Sequence, residues 1–305
     1  MSELVLRLGT RRSPLSLAQA RQVAAVLAGS HPGVFVELVP ITTRGDREPG
    51  DLSRLGGKGL FTAELERGLL AGDLDLAVHS LKDLPVRLPD GLAIAAFPPR
   101  GDPRDALVSE IARELDDLPP AAVLLTGSLR RRAQILRRRP DLGVEPLRGN
   151  VGTRLERWRR SGRAGVILAQ AGLERLGLGG DEVPAHPLDP ESMVPAPGQG
   201  TLAVEVARGG RAERLCRALD HPPTARAARA ERSIVRAFGG DCALPLAAWA
   251  REAGGELWLT ALVATPDGRR AARGEGRSAD PAVAVDACLK ALRDAGAEEI
   301  VAALR

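Results

Sequence analysis

The first two thirds of the chain alternate short apolar segments with amphipathic ones, and this alternation limits the fold more than any other feature. Ser13-Pro14 is a strong helix start, because Ser favours the N-cap position and Pro the first helical position. Residues 74–78 are apolar apart from Asp75, and the segment is interpreted as a parallel strand of the buried type. The pattern predicts strands over 4–8, 34–41 and 74–78 and helices over 14–27 and 61–71. Such alternation predicts an α/β layer fold.

Two proline-rich segments, 98–103 and 195–200, interrupt this pattern and are interpreted as hinges. Between them the sequence predicts strands over 123–125, 145–147 and 166–169 and helices beginning at Leu129 and Gly152. After the second hinge, residues 202–207 are expected to form a strand that returns to the first sheet. The expected domains are a first α/β domain over 1–98 plus 199–218 and a second over 103–194. Two crossings between two such lobes predict a clamp with a ligand between them.

The last third of the chain has a different pattern and predicts a small α+β domain over 222–305. An amphipathic helix over 224–238 precedes three segments with strand patterning, at 246–251, 257–265 and 269–276. Glycine-containing turns separate these segments, as in antiparallel hairpins. Closing helices are expected over about 281–294 and 297–304.

The composition excludes several classes of protein. With 43 basic and 39 acidic residues, the net charge of +4 is too balanced for a general nucleic-acid binder, and 2% aromatic residues are too few for base stacking. The three cysteines and four histidines lack the spacings of metal sites, so no metal is expected. No apolar run approaches the ~20 residues of a membrane span, and no signal peptide is evident. We expect a soluble cytoplasmic protein, most simply a monomer.

Cys242 is the cysteine whose surroundings favour reactivity. It lies in Gly239-Gly240-Asp241-Cys242-Ala243-Leu244-Pro245, where glycines and a proline predict an exposed bend. Cys216 and Cys288 fall on apolar stripes at helical spacing and are expected in the core. Cys242 is therefore a candidate nucleophile or attachment point, and the alternative is a loop cysteine without a role.

Basic residues cluster where predicted strands give way to helices. The clusters are Arg11-Arg12-Ser13, Lys82 after strand 74–78, Ser128-Leu129-Arg130-Arg131-Arg132, and the segment from Arg148 to Arg154. Ligands bind at the carboxyl ends of strands in open α/β sheets, and helix N-termini there add N–H donors and a positive dipole. Together the clusters predict a ligand with several anionic groups, whereas any one of them alone could be a solvated charged face.

Asp83 is the acidic residue best placed for catalysis. It follows the strand at 74–78 and precedes Leu84-Pro85, so a carboxylate fixed beside Lys82 could stabilise a cation that develops during a reaction. A turn-capping aspartate is the alternative. His79 is interpreted as structural. The glycine-rich segment 56–61 lacks nucleotide-binding spacings, and a flap beside a ligand and a plain surface loop both fit it.

Taken together, these segments resemble the hydroxymethylbilane synthase family, also called porphobilinogen deaminases, from Arg7 to about Gly276. The strings that carry the resemblance are Thr10-Arg11-Arg12-Ser13-Pro14-Leu15, Thr43-Arg44-Gly45-Asp46, Gly56-Gly57-Lys58-Gly59-Leu60-Phe61, His79-Ser80-Leu81-Lys82-Asp83-Leu84-Pro85, Ser128-Leu129-Arg130-Arg131, Leu147-Arg148-Gly149-Asn150-Val151-Gly152-Thr153-Arg154, Ala171-Gly172-Leu173-Glu174-Arg175-Leu176-Gly177, Pro197-Gly198-Gln199-Gly200, and Glu231-Arg232 leading to Cys242.

The resemblance implies two periplasmic-binding-protein-like α/β lobes with a hinge, plus a small C-terminal α+β domain. It implies a transferase of porphyrin and haem biosynthesis that joins four porphobilinogen molecules head to tail, releases ammonia from each, and hydrolyses off a linear tetrapyrrole. It also implies a dipyrromethane cofactor bound as a thioether to the cysteine that matches Cys242. Each pyrrole carries an acetate and a propionate, so the arginine clusters agree with such a ligand.

The family's functional residues carry over to matching positions of this sequence. Asp83 is expected to be a buried catalytic carboxylate that stabilises the positive charge left when ammonia departs. The residues expected to bind the cofactor are Cys242, Lys82, Asp83, Thr126, Ser128, Arg130, Arg131, Arg148 and Gly152. The residues expected to bind substrate are Arg11, Ser13, Phe61, Arg148, Arg154, Arg175 and Gln199.

The sequence departs from the family pattern at a few positions. Asp241 precedes the cysteine where a small residue is usual, and Leu244 replaces a β-branched residue. Gly127 replaces a hydroxyl residue, and Arg132 adds a charge beside the usual arginine pair. A non-catalytic bilobal anion-binding protein is the alternative function, although it explains neither Cys242 nor the third domain.

Overall fold

The computed structural model describes residues 4–47, 61–239 and 244–305, which fall into two compact units. The first unit combines Met1–Gly101 with Thr201–Ala228, and the second combines Asp102–Gly200 with Arg229–Arg305. The chain leaves one unit for the other between residues 101 and 102 and between residues 200 and 201. These points lie in or next to the proline-rich segments 98–103 and 195–200, which contain no helix or strand. The three-domain boundaries expected from the sequence stay a prediction.

The elements are numbered in chain order. The described strands are β1 Leu4–Arg11, β2 Val34–Ile41, β3 Leu76–Ser80, β4 Leu92–Ala96, β5 Asp105–Val108, β6 Val123–Leu125, β7 Gly143–Glu145, β8 Gly165–Ala169, β9 Ala185–Pro187, β10 Leu202–Ala207, β11 Leu246–Ala253, β12 Glu256–Ala264 and β13 Ala271–Ser278. The described α-helices are α1 Pro14–Ser30, α2 Arg44–Arg47, α3 Ala63–Ala71, α4 Leu129–Arg138, α5 Val151–Ser161, α6 Gln170–Arg175, α7 Arg211–Cys216, α8 Pro222–Ala237, α9 Pro281–Asp294 and α10 Ala297–Ala302.

The first unit is built on a five-stranded mixed sheet in the order β2-β1-β3-β10-β4. Strand β1 runs parallel to β2 and β3, whereas β10 is antiparallel to β3 and β4. Apolar side chains of β1, β3 and β10 pack against α1, and Leu8, Leu27 and Leu76 are fully buried there. The prediction that residues 202–207 return to the first sheet is confirmed, because β10 lies between β3 and β4.

The second unit also contains a five-stranded mixed sheet, in the order β7-β6-β8-β5-β9, with the same arrangement of parallel and antiparallel pairs. Strand β6 is parallel to β7 and β8, and β5 is antiparallel to β8 and β9. Side chains of β5 and β6 alternate between two cores, with Leu107 and Leu124 in one and Ala106 and Leu125 in the other. Burial on both faces explains why such strands are continuously apolar in the sequence.

A three-stranded antiparallel sheet, β11-β12-β13, also belongs to the second unit, and α9 packs against it. The approach of α9 requires glycine in β13, because a Cβ at Gly276 would overlap the carbonyl oxygen of Ala284. Glu231 of α8 is fully buried and accepts hydrogen bonds from the backbone N–H groups of Gly198 (2.6 Å) and Ala250 (2.8 Å). The predicted fold class, two periplasmic-binding-protein-like α/β lobes and a small C-terminal α+β domain, is confirmed.

Some predicted strands lie at other residues. The segment predicted as a strand at 74–78 is a strand only from Leu76, because Leu74 lies in the turn after α3 and packs into the core beside Leu65 and Leu69. The strand predicted at 145–147 is observed at Gly143–Glu145. Local patterning does not predict β4, β5 or β9, since such short strands depend on pairing with distant segments of the chain.

Three ionisable side chains are buried together in the first unit, where α3 packs near β3 and β10. His79 Nε2 lies 2.9 Å from Glu205 Oε2, which gives His79 the structural role predicted for it. Glu66 of α3 is buried near this pair, and the Oε1 atoms of Glu66 and Glu205 have no hydrogen-bond partner among the described residues. Burial first, and the Glu205 carboxylate second, raise the pKa of Glu66 above its ordinary value.

We expect Glu66→Gln to raise the free energy of unfolding at neutral pH by on the order of 1 kcal/mol, because the neutral amide does not oppose burial. A pKa raised in the folded state gives a contribution that is complete below the unfolded pKa and is lost as the pH rises through the folded pKa. Urea unfolding from about pH 4 to about pH 8 should therefore show an advantage of the variant that grows with pH. The exposed Glu37→Gln change is the control, and an advantage that is the same at every pH would contradict this assignment.

Candidate functional site

Polar residues of the first unit follow its three parallel strands at the edge where those strands end. Arg11 is the last residue of β1 and Ser13 follows it, Thr43 follows β2, and Lys82 and Asp83 follow β3. Because β2, β1 and β3 are neighbours and run parallel, their carboxyl ends share one edge of the sheet. We call this the first edge, and it brings together four of the predicted site residues.

An acidic and an aromatic side chain hold Arg11. Its guanidinium donates to Asp46 (Nη2–Oδ1, 2.5 Å) and stacks over the ring of Phe61, with Cζ 4.1 Å from the ring centroid. Thr43 orients Asp46 in turn, because its backbone N–H and its hydroxyl both donate to Oδ2, at 3.1 and 2.7 Å. Gly45 leaves room for the aromatic ring, which a Cβ at that position would overlap. The Thr-x-Gly-Asp string therefore has a local purpose, which is to orient Arg11.

The Asp46 carboxylate is the counterion of Arg11. Burial opposes its ionisation, but hydrogen bonds from Arg11 and Thr43 outweigh burial and hold the pKa of Asp46 below its ordinary value. The Arg11 side chain is 25% exposed, so part of it faces solvent despite this pairing. An anionic ligand can therefore still reach Arg11.

Ser13 caps the helix that follows the first edge. Its Oγ accepts a hydrogen bond from the backbone N–H of Ser16 at 3.2 Å, and Pro14 is the first helical residue. The predicted helix start at Ser13-Pro14 is confirmed. The role of Ser13 in binding substrate stays a prediction.

Lys82 and Asp83 lie in a single 3-10 turn, Leu81–Asp83, directly after β3. Leu81 and Leu84 are buried on either side of this pair, and the Leu81 N–H donates to the carbonyl oxygen of Thr201 at 3.0 Å. Asp83 is exposed in this structure, whereas the sequence led us to expect a buried carboxylate. The difference arises because the turn directs Leu81 and Leu84 into the core and leaves Asp83 outside it.

The second unit has an equivalent edge at the carboxyl ends of β7, β6 and β8, which we call the second edge. Thr126 and Ser128 follow β6 there. Ser128 caps α4, since its Oγ accepts from the Arg131 N–H at 3.4 Å, and its own N–H donates to Thr126 Oγ1 at 3.2 Å. The predicted helix start at Leu129 is confirmed.

Arg130 and Arg131 are buried beneath the second edge, with only 5% of each exposed. Both bind the carboxylate of Asp105: Arg130 Nη1 lies 2.6 Å from Oδ2, and Arg131 Nε lies 2.9 Å from Oδ1. Backbone carbonyls accept further N–H groups, Val194 from Arg130 and Ile167 from Arg131, each at 2.8 Å. The two arginines are thus held inside the unit, and their predicted contact with a cofactor stays a prediction.

Asp105 is the residue of this site that sequence reasoning missed. It is the first residue of β5 and is fully buried. Burial disfavours its charge, but the two guanidiniums outweigh burial and hold the pKa of Asp105 well below its ordinary value. One feature of the sequence could have identified it: Asp105 begins the apolar run Asp105-Ala106-Leu107-Val108. A carboxylate buried in a strand requires a cationic partner.

Gln199 joins this network. It is fully buried, and its Nε2 donates to Asp105 Oδ1 at 2.9 Å and to the carbonyl oxygen of Pro103 at 2.8 Å. Arg175 of α6 is attached to the same linker segment, because its Nη2 donates to the carbonyl oxygen of Gly200 at 2.7 Å. The contacts of Gln199 and Arg175 with substrate stay predictions.

The turn into α5 carries the other predicted ligand-binding residues of the second unit. Asn150 caps this helix, and its Oδ1 accepts from the Thr153 backbone N–H at 2.9 Å. Arg148 and Gly152 are exposed, and Arg154 is half-buried. An exposed helix N-terminus beside an exposed arginine can attract an anionic group.

Cys242 lies outside the described residues, as do residues 56–60 of the glycine-rich segment. The other two cysteines are buried, as predicted, and burial raises the pKa of the Cys216 and Cys288 thiols to about 12. A thiol with such a pKa is a poor nucleophile at neutral pH. Cys242 is therefore the remaining candidate for covalent attachment.

Two family models match this chain. One, described as porphobilinogen deaminase, dipyromethane cofactor binding domain, matches residues 6–214, and the other, described as porphobilinogen deaminase, C-terminal domain, matches residues 225–294. The chain belongs to the porphobilinogen deaminase family. This family consists of transferase-type enzymes of porphyrin biosynthesis, and the resemblance found in the sequence is confirmed.

Solved structures outside the deaminase family are also similar to this chain. The methionine-binding protein MetQ is 12% identical with a TM-score of 0.44, covering 77% of this chain and 96% of its own. YhfZ from Shigella flexneri is 17% identical with a TM-score of 0.34, over 78% and 97% of the two chains. CbnR, a LysR-family transcriptional regulator, is 11% identical with a TM-score of 0.43, over 72% and 71%. TM-scores this low support no inference about the ligand of this chain.

The residues of the second edge fit a dipyrromethane with acidic side chains. Arg130 and Arg131 carry two positive charges against the single negative charge of Asp105, and Arg148 lies exposed at the N-terminus of α5. This donor set suits carboxylates and not a metal, and no group of metal-binding side chains occurs among the described residues.

In the part of the chain that the structure describes, no helix is long and apolar enough to cross a membrane.

We expect Asp46→Asn to lower the free energy of unfolding at neutral pH by about 1 kcal/mol, because Arg11 loses its counterion in a partly exposed pair. The pKa of Asp46 is lowered in the folded state, so its contribution is complete above the unfolded pKa and is lost as the pH falls through the folded pKa. Urea unfolding as a function of pH should show the difference from wild type shrinking in acid. The exposed Asp90→Asn change is the control, and a penalty that persists at low pH would contradict an ionic origin.

Proposed function

We propose that this chain is a hydroxymethylbilane synthase, which joins four porphobilinogen molecules head to tail with release of ammonia and then hydrolyses off the linear tetrapyrrole. The observation that carries this proposal is the match of both the cofactor-binding and the C-terminal family models to one chain. The two arginine-bearing edges and the reactive-cysteine candidate support it, because the product is polyanionic and its assembly requires an anchor.

The proposed role of Asp83 is electrostatic. When the C–N bond of porphobilinogen breaks, the electron pair leaves with nitrogen, and positive charge remains on the pyrrole ring. A carboxylate fixed near that charge stabilises it, and also accepts a hydrogen bond from the pyrrole N–H. The short turn Leu81–Asp83 holds Asp83 at the first edge, exposed and therefore accessible to substrate.

The proposed role of the arginines is to bind the acetate and propionate groups of the substrate. Arg11 is oriented for this by Asp46 and Phe61, and the aromatic ring offers a face on which a pyrrole can pack. The other residues proposed to bind substrate are Ser13, Arg148, Arg154, Arg175 and Gln199. The residues proposed to bind the corresponding groups of the cofactor are Lys82, Thr126, Ser128, Arg130, Arg131, Arg148 and Gly152.

The proposed role of Cys242 is to anchor the dipyrromethane cofactor through a thioether. When bound, this cofactor supplies the pyrrole carbon to which the first substrate is joined. Cys242 contributes a soft sulfur nucleophile for this attachment. A cytoplasmic location and a monomeric state are part of the same proposal.

We expect the purified chain to be heavier than its sequence by the mass of two condensed pyrrole units, and Cys242→Ser to lack this excess. Intact-mass spectrometry makes the measurement. Cys288→Ser is the matched control, because its thiol is buried and should leave the adduct in place.

A chain with the mass of its bare sequence would be treated with porphobilinogen. An apoenzyme should then gain the adduct and release ammonia. If neither occurs, the alternative of a non-catalytic anion-binding protein replaces the synthase proposal.

We expect Asp83→Asn to leave the fold intact and to lower the rate of porphobilinogen consumption by at least about 100-fold, since an amide cannot neutralise the developing charge. Circular dichroism checks the fold, and ammonia release measures the rate. Asp90→Asn, also exposed in the first unit, should retain full turnover. Normal turnover of Asp83→Asn would exclude the catalytic role.

A further inference from the structure

Among the residues that the structure describes, the charges buried beneath the second edge do not balance. Two guanidiniums, Arg130 and Arg131, share one carboxylate, Asp105, and all three side chains are almost completely removed from solvent. A buried charge without a partner is costly, so this group is stabilised by any anion that can reach it.

Within the described ranges, both arginines also have N–H groups that their contacts with Asp105 and backbone carbonyls do not occupy. A guanidinium has five N–H donors. The hydrogen bonds of Arg130 engage Nη1 twice and Nη2 once. Those of Arg131 engage Nε and Nη1, and its Nη2 lies 2.8 Å from Asp105. Each arginine therefore combines a fixed orientation with unused donors, as a preformed carboxylate receptor requires.

Asp105 supplies that fixed orientation. Its Oδ1 accepts from both arginines and from Gln199, so one oxygen sets the spacing of two guanidiniums that would otherwise repel each other. The backbone of Asp105 is itself fixed, because it pairs with Ala169 of β8 and its carbonyl oxygen accepts from the Leu188 N–H at 2.8 Å. The carboxylate is thus attached to the rigid sheet and not to a loop.

We propose that Asp105 is a positioning residue, which holds Arg130 and Arg131 as a rigid pair that accepts a single carboxylate group of a ligand. The ligand class is a carboxylate-bearing molecule. Its identity as a pyrrole acid rests on the proposed synthase function, whereas the positioning of the arginines does not.

The first test measures arginine reactivity in the full chain. Phenylglyoxal modification of Arg130 and Arg131 is followed by peptide mass spectrometry in wild type and in Asp105→Asn. We expect modification to be at least about tenfold faster in the variant, because the pair loses its anchor. Asp116→Asn is the control, since Asp116 pairs with Arg138 at the other end of the same helix and should change nothing at Arg130. Unchanged reactivity in a folded Asp105→Asn protein would overturn the proposal.

The second test measures carboxylate binding with succinate as the probe. Succinate should slow the modification of Arg130 and Arg131 in wild type, at an ionic strength matched with chloride, and should give no protection in Asp105→Asn. Absence of protection in wild type, both by succinate and by porphobilinogen, would overturn the receptor assignment. This result is distinct from failure of the synthase proposal, which shows as a wild-type chain that neither gains an adduct nor consumes porphobilinogen.

The third test keeps the receptor assignment testable if Asp105→Asn does not fold. Asp105→Asn combined with Arg131→Met removes one charge of each sign, so this double variant should fold even if the single variant does not. We expect its gain of the pyrrole adduct on exposure to porphobilinogen to be at least about tenfold slower than in wild type. A double variant that loads as fast as wild type would show that the paired arginines do not receive the ligand.

Discussion

Each α/β unit depends on three neighbouring parallel strands, and the inner strands β3 and β8 are almost completely buried. Parallel strands require helical crossovers, and these crossovers cover the faces of the sheet, so that the loops leaving β2, β1 and β3, and those leaving β7, β6 and β8, are confined to one edge. The same geometry places the starts of α1, α4 and α5 at these edges. The first N–H groups of each helix have no partner within the helix, so they require capping side chains or a ligand there. The topology of the sheet therefore produces a polar edge that can bind an anion, and the arginines lie at or beneath this edge.

Two buried carboxylates, Asp105 and Glu66, have pKa values shifted in opposite directions. Asp105 is ionised in the core because two guanidiniums and an amide surround it, so burial strengthens the attraction that it receives. No arginine among the described residues pairs with Glu66, and burial beside Glu205 therefore raises its pKa and favours its protonated form. The two sites show that a buried carboxylate cannot be interpreted from burial alone, because the number and sign of its neighbours decide its state.

The sequence was most informative where local chemistry decides the structure. The Ser13-Pro14 start, the strand Val34–Ile41, and the buried positions of Cys216 and Cys288 follow from capping and periodicity. The return of Leu202–Ala207 to the first sheet was predicted from the two hinge segments and not from local pattern. Features that depend on distant residues were not predictable in this way. Nothing near Asp105 in the sequence shows that α4 will bring two arginines to it. The pattern of residues 74–78 also does not reveal that Leu74 packs in a turn. The exposure of Asp83 likewise depends on how Leu81 and Leu84 dock into the core of the first unit.

The arginines of the two edges differ in how their charge is compensated, and this difference has a functional meaning under the proposed synthase reaction. Arg11 is one-quarter exposed, has a single carboxylate partner, and lies against an aromatic ring, so a ligand that binds it can also leave. Arg130 and Arg131 are enclosed by Asp105, Gln199 and backbone carbonyls, so most of the cost of ordering them is met in the folded protein before any ligand arrives. A preorganised, poorly solvated pair suits a group that stays bound through many turnovers, whereas a half-solvated arginine suits a substrate that must be exchanged at each step. The proposed assignment of Arg130 and Arg131 to the cofactor and of Arg11 to the substrate therefore agrees with the electrostatics of each unit taken separately.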